Sequence, residues 1–140
     1  MKKEVYKALQ FAQKAHEGQV DKNGVQYFLH PVRVSYRAST DDEKVVALLH
    51  DVLEDTHYTV EDIKREVTNN ECIIQALELL NHDKSVSYFD YVRKIRDSKN
   101  CLAINVKKYD IADNTDPNRG KVYNLEKYSN ALSILNYELN

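Results

Sequence analysis

Val45-Val46-Ala47-Leu48-Leu49-His50-Asp51-Val52-Leu53-Glu54-Asp55-Thr56 is the stretch from which the rest of the chain can be read. Its apolar residues return at helical spacing, and no glycine or proline interrupts it. Within it, His50, Asp51, Glu54 and Asp55 place four ionisable side chains in an otherwise apolar segment. Burying them is costly unless something neutralises them, and a metal ion is the simplest agent. On an unbroken helix, positions four apart share a face. His50 is therefore expected over Glu54 and Asp51 over Asp55, beside an apolar stripe of Leu49, Val52 and Leu53.

The same periodicity runs outward in both directions. With Gly 3 and Pro 2 in 140 residues, the pattern is that of an all-α helical bundle, and strands have little to work with. Val5, Leu9, Phe11, Ala12 and Ala15 mark a first helix, followed by a loop over residues 17–24. Asn23-Gly24 is a turn signal that also fits a short hairpin near residues 19–29. Pro31 suits the first turn of a second helix, which sets His30 at a helix start. Asp41 and Asp42 are expected to cap a third helix from about Glu43, and Thr59 with Asp62 forms a capping-box variant for a fourth. Residues 73–80, 87–95 and 102–112 continue helically, and a last helix carries Leu125, Ala131, Leu132, Leu135 and Leu139. No repeat, low-complexity tract or linker divides the chain, so residues 1–140 are read as one domain.

Lys+Arg 20 against Asp+Glu 22 gives a net charge of -2 without a basic tail, so neither a nucleic acid nor an anionic membrane is an expected partner. The N-terminus enters helical periodicity directly, with no apolar signal core, and a cytoplasmic location is expected. Cys72 and Cys101 lie far apart without Cys-x-x-Cys spacing, and are read as reduced, buried thiols. His57 and His82 are read as solvated, His16 as a brace for the loop or the site. Oligomeric state leaves no mark on the sequence.

His-Asp alone arises cheaply by chance. Further candidates are His30, in Tyr27-Phe28-Leu29-His30-Pro31, and Asp110, in the run from Val106 to Asn114. His30, His50, Asp51 and Asp110 together offer two nitrogens and two oxygens, a set suited to Mn²⁺, Fe²⁺, Co²⁺, Mg²⁺ or Zn²⁺.

In order along the chain, His16-Glu17-Gly18-Gln19, then Gly24 through Tyr27 to His30-Pro31, then Ala47-Leu48-Leu49-His50-Asp51-Val52-Leu53-Glu54-Asp55-Thr56, then Val106-Lys107 through Asp110 to Asn114, resemble the hydrolase domain of the RelA/SpoT family and its small stand-alone relatives. These belong to the HD superfamily of metal-dependent phosphohydrolases. The resemblance implies that His30, His50, Asp51 and Asp110 ligate metal, usually Mn²⁺, and that Glu54 and Asp55 orient the attacking water. It implies a substrate-side position for Asn114, Tyr27 and Lys22. Arg119 and Lys121 either meet a substrate phosphate or lie in a solvated loop. The implied reaction is hydrolysis of the 3′-pyrophosphate of ppGpp or pppGpp to GDP or GTP and pyrophosphate. On its length of 140 residues, a synthetase domain is not expected beside the hydrolase motifs.

One departure stands out. Where those hydrolases read Gly-Gln-x-Arg-Lys, this chain reads Gly18-Gln19-Val20-Asp21-Lys22, and an aspartate cannot stack on a base as a guanidinium does. Asp21 favours a second reading, in which the metal chemistry acts on another nucleotide, such as the 2′-phosphate of NADPH. A third is an idle nucleotide-binding regulatory domain, against which the intact Glu54-Asp55 pair argues.

Overall fold

A computed structural model describes residues 2–137. The helices are α1 Lys3–Ala15, α2 Leu29–Tyr36, α3 Asp41–Leu49, α4 Val52–Asp55, α5 Val60–Glu66, α6 Glu71–Leu80, α7 Tyr88–Ser98, α8 Cys101–Asn114 and α9 Leu125–Leu135, with a 3-10 turn at Pro117–Arg119. No strand occurs among the described residues. The hairpin signal near residues 19–29 gives only an isolated antiparallel bridge between Val20 and Gln26. Gly24 turns that loop at φ 79°, a left-handed conformation that glycine adopts without strain. Leu139, assigned from sequence to the last helix, lies outside the described residues.

Helix α3 is the centre of the bundle, with α1, α2, α6 and α8 packed around it. Every residue from Val45 to Leu49 is buried, which explains why this segment is apolar on all sides and not on one stripe. Helix α8 lies against α2, α3, α6 and α9, so the elements that carry the candidate ligands share one core.

Local signals place most helix starts. Thr59 and Asp62 form the expected capping box, Asn70 accepts from Cys72 N at 2.9 Å, and Asn100 accepts from Ala103 N at 3.0 Å. Such caps contribute about 1 kcal/mol each. At α3 the expectation was displaced: Thr40 Oγ1 accepts from Glu43 N at 3.1 Å, leaving Asp41 and Asp42 inside the first turn, where a negative charge favours the helix.

Two further expectations are corrected. The helix through residues 45–56 is not continuous, because it stops at Leu49 and restarts at Val52, with His50 and Asp51 between the two pieces. Cys72 and Cys101 are both free and exposed, since each falls in the first turn of a helix on the solvent side and not in the core.

Candidate metal centre

Three segments converge on one point. His30 comes from the start of α2, His50 and Asp51 from the break after α3, and Asp110 from α8. One ligand atom from each lies within 4.8 Å of all the others, so the four could hold a metal ion. His30 Nε2 is 2.8 Å from Asp110 Oδ1 and 3.6 Å from Asp51 Oδ2. His50 Nε2 is 3.0 Å from Asp51 Oδ2 and 3.3 Å from Asp110 Oδ1.

The outer ring nitrogens are already engaged, and this orients the inner ones. His50 Nδ1 donates to Ala47 O at 2.6 Å, and His30 Nδ1 donates to Asp113 Oδ2 at 2.6 Å. Asp113 is itself held by Arg33 Nε at 2.9 Å and Arg119 Nη1 at 2.9 Å. Both imidazoles are thereby turned so that Nε2 faces the cluster, which is how ligating histidines are commonly fixed. His50 Nε2 is buried with no hydrogen-bond partner among the described residues. A buried lone pair aimed at two carboxylates fits a cation, and the mixed nitrogen and oxygen set fits a borderline or hard divalent ion.

Without an ion, the four groups balance each other with protons. Burial opposes charge at His50, yet the Asp51 and Asp110 carboxylates hold its pKa well above the ordinary value. Burial likewise opposes charge at Asp110, but Lys107, His30 and His50 hold its carboxyl well below the usual range. Lys107 is itself buried and donates to Asp110 Oδ2 at 2.9 Å.

The two acids of α4 have different surroundings. Glu54 is occupied on both oxygens, accepting from His82 N at 3.1 Å and Lys84 Nζ at 2.8 Å. Asp55 stands at the open edge of the site, where burial of its carboxyl and the charges of Asp51 and Glu54 push its pKa up to about 6. Tyr27 joins the two sets: its hydroxyl donates to Asp51 Oδ2 at 2.5 Å and lies 3.3 Å from Asp55 Oδ2.

A cavity of about 280 Å³ opens over the cluster, and a second of about 290 Å³ adjoins it. Tyr27, His30, Asn114 and Tyr128 line both. Asn114 Nδ2 donates to Asp110 Oδ1 at 3.1 Å, so the asparagine expected on the substrate side braces a candidate ligand. Lys22 lies in the second cavity, its ammonium 5.1 Å from the Tyr123 ring centre.

Asp21 does not face open solvent in that second cavity. Its Oδ1 accepts from Asn23 N at 2.8 Å and Val25 N at 3.0 Å, and its Oδ2 accepts from Arg119 Nη2 at 3.1 Å. The aspartate shapes its own loop and clamps an arginine from the other side of the cavity. Arg119 also donates to Asp113 O at 3.0 Å, so it is neither a free phosphate donor nor part of a solvated loop.

His82, expected in solvent, is half-buried. It stacks on Tyr91, with ring centres 4.5 Å apart, and lines the cavity over the cluster. Sequence reasoning also gave no role to Lys84, Lys127 or Tyr88, which line the same cavity. Nothing in their local spacing marks them, because they are brought in by the packing of α7 and α9 against the rest of the bundle.

The comparisons bear on the family and the fold. A family model described as "HD domain" matches residues 8–103. The bifunctional (p)ppGpp synthase/hydrolase SpoT of Escherichia coli is 36% identical over 110 residues, covering 76% of this chain and 14% of that protein. The guanosine-3′,5′-bis(diphosphate) 3′-pyrophosphohydrolase of Borreliella burgdorferi is 41% identical over 69 residues, covering 46% of this chain and 10% of its own length. The chain thus spans about a tenth of the curated relatives it matches. A solved structure described as a metazoan ortholog of SpoT that hydrolyses ppGpp superposes with a TM-score of 0.76 at 21% identity, covering 97% of this chain and 87% of that one, and so shares the fold. With most of its length matched by the family model and the four candidate ligands gathered in one pocket, the chain belongs to the HD domain family.

Proposed function

We propose that this chain is a metal-dependent phosphohydrolase that cleaves guanosine 3′,5′-bis(diphosphate), or the corresponding pentaphosphate, at its 3′-diphosphate, releasing pyrophosphate and GDP or GTP. The observation that carries this reading is the buried, unpartnered Nε2 of His50, facing Asp51, His30 and Asp110 beside a cavity that also holds Asp55. The names of the matched relatives supply the substrate. His30, His50, Asp51 and Asp110 would hold the ion, for which we favour Mn²⁺. A bound divalent ion supplies an acidified water and offsets phosphoryl charge.

The chain's own residues do the rest. Asp55, at the open edge of the cavity beside the Tyr27 hydroxyl, accepts the proton of the attacking water. The Tyr27 hydroxyl keeps that carboxylate in register with Asp51. Glu54 orients the water from the other side and draws Lys84 to the site. Asn114, Lys22 and Arg119 line the route by which the nucleotide reaches the cluster, Arg119 shaping the wall through Asp21. We place the protein in the cytoplasm, because two exposed free cysteines suit a reducing compartment. Among the described residues, no helix is long and apolar enough to cross a membrane.

A second reading, cleavage of another nucleotide such as the 2′-phosphate of NADPH, is favoured by one observation: position 21 offers the base no guanidinium. The deciding experiment is turnover of ppGpp, pppGpp and NADPH by protein stripped of metal and reloaded with Mn²⁺. Pyrophosphate release from ppGpp is expected, abolished by stripping and lowered about 100-fold or more in Asp55→Asn. Cleavage of NADPH alone would replace the substrate, and no turnover of any of them would replace the enzyme reading.

A further inference from the structure

The cavity over the ligand cluster receives lysines from three parts of the chain: Lys84 before α7, Lys107 on α8 and Lys127 on α9. Lys107 is paired with Asp110 at 2.9 Å, and Lys84 with Glu54 at 2.8 Å. Lys127 is different. Among the described residues its ammonium has no carboxylate partner and donates no hydrogen bond. It rests 4.2 Å from the Tyr88 ring centre and 5.5 Å from that of Tyr128, half-buried. Aromatic faces compensate a cation only in part.

At the Lys127 ammonium itself, the pull of other lysines outweighs that of the nearby acid. Burial pushes the Lys127 pKa down, and Lys107, Lys22 and Lys84 push it the same way, with Glu54 opposing. Tyr88, directly beneath the ammonium, has a buried hydroxyl with no hydrogen-bond partner. A cavity wall that gathers an unpaired ammonium, a second lysine held only by an exposed ion pair and an unpartnered hydroxyl has the chemistry of an oxyanion subsite that stands apart from the metal ligands.

We propose that Lys127, assisted by Lys84, binds the outer phosphate of a diphosphate whose inner phosphate lies at the ligand cluster, and that this makes the site selective for diphosphate over monophosphate esters. The inference rests on the hydrolytic reading above and deepens it. In the reaction, water oxygen bonds to the phosphorus attached to ribose O3′, and the bond from that phosphorus to O3′ breaks. The water proton passes to Asp55, O3′ takes up a proton, and both phosphates leave together as pyrophosphate. Lys127 stays with the outer phosphate throughout, so its charge serves binding of the substrate and retention of the product, and it takes no part in bond breaking.

The test does not need turnover. Inorganic pyrophosphate and inorganic phosphate are titrated by calorimetry into Mn²⁺-loaded protein freed of excess ion, as wild type, Lys127→Met and Lys127→Arg. Wild type is expected to prefer pyrophosphate. Lys127→Met should lose about tenfold in pyrophosphate affinity, ~1.4 kcal/mol, with phosphate affinity and melting temperature unchanged, and Lys127→Arg should retain the preference. Equal pyrophosphate affinity in Lys127→Met and wild type would overturn the inference, as would an equal loss for phosphate, which marks a diffuse charge effect. Should ppGpp prove not to be a substrate while Lys127→Met still loses the preference, the subsite stands and only the choice of nucleotide falls.

Discussion

The two ends of helix α3 each bury an acid against helix α8, and they do so with opposite results. At the N-terminal end, Glu43 accepts from Ser39 N, Asn105 Nδ2 and Tyr109 Oη, each at 3.0 Å. All the donors are neutral, and both oxygens are satisfied. At the C-terminal end, His50 and Asp51 meet Asp110, the neighbour of Tyr109, and His50 Nε2 is left with no donor or acceptor of its own. The first cluster is closed and ties two helices. The second is open, because one of its buried nitrogens has no hydrogen-bond partner, and the open one lies under a cavity. What separates structural polarity from a candidate site here is the balance of hydrogen-bonding groups and not burial, which both ends share.

The largest effect should come from opening that second end further. Asp110→Ala leaves the buried Lys107 ammonium without its carboxylate and removes a candidate ligand. Metal binding by calorimetry should disappear, and the metal-free protein should lose about 3–5 kcal/mol in denaturant unfolding. If Asp110→Ala bound metal as wild type does, the ligand set would be wrong. A smaller effect is expected at the closed end, where Glu43→Gln turns one acceptor into a donor facing other donors. It should cost about 1–3 kcal/mol while metal content and turnover stay unchanged. Loss of metal in Glu43→Gln would show that the two ends are not separable.

The smallest and most discriminating effect is in pH. Burial raises the Glu43 pKa, but Ser39, Asn105 and Tyr109 together hold it below its ordinary 4.5. Its contribution is therefore complete above 4.5 and lost as pH falls through the folded value. His50 in the ion-free protein is raised well above its ordinary 6.5, so its contribution is complete below 6.5 and lost as pH rises through the folded value. Melting temperatures of ion-free wild type against Glu43→Gln should converge on acidification, and those against His50→Ala should converge in alkali, by roughly 2–4 °C for each kcal/mol lost. Matching trends in the two series would remove the distinction. Added Mn²⁺ should protect more strongly as pH rises, since the ligands must release protons to bind it.

The sequence made the centre of the site legible and its surroundings illegible. His50 and Asp51 are conspicuous because they interrupt an apolar run, and Thr59 with Asp62 because a capping box is local. Helix existence followed from periodicity at nearly every element. The pairing of Asp21 with Arg119 spans 98 positions, and that of Glu54 with Lys84 spans 30, so neither leaves a local pattern. Lys127 looks like any surface lysine on an amphipathic helix until Tyr88 is packed beneath it. The exposed cysteines were missed for a related reason: the residue type suggests burial, but a first-turn position on the outer side of a helix decides the matter.

The break after Leu49 has a consequence for anyone who would move this centre into another scaffold. In an uninterrupted helix the Ala47 carbonyl accepts from the backbone four residues on; here it accepts from the His50 ring at 2.6 Å. One hydrogen bond marks the end of the helix and at the same time decides which ring nitrogen carries the proton. Grafting His-Asp onto a regular helix would copy the letters and lose the tautomer, so the smallest transplantable unit is the interrupted backbone from Ala47 to Val52 together with its side chains.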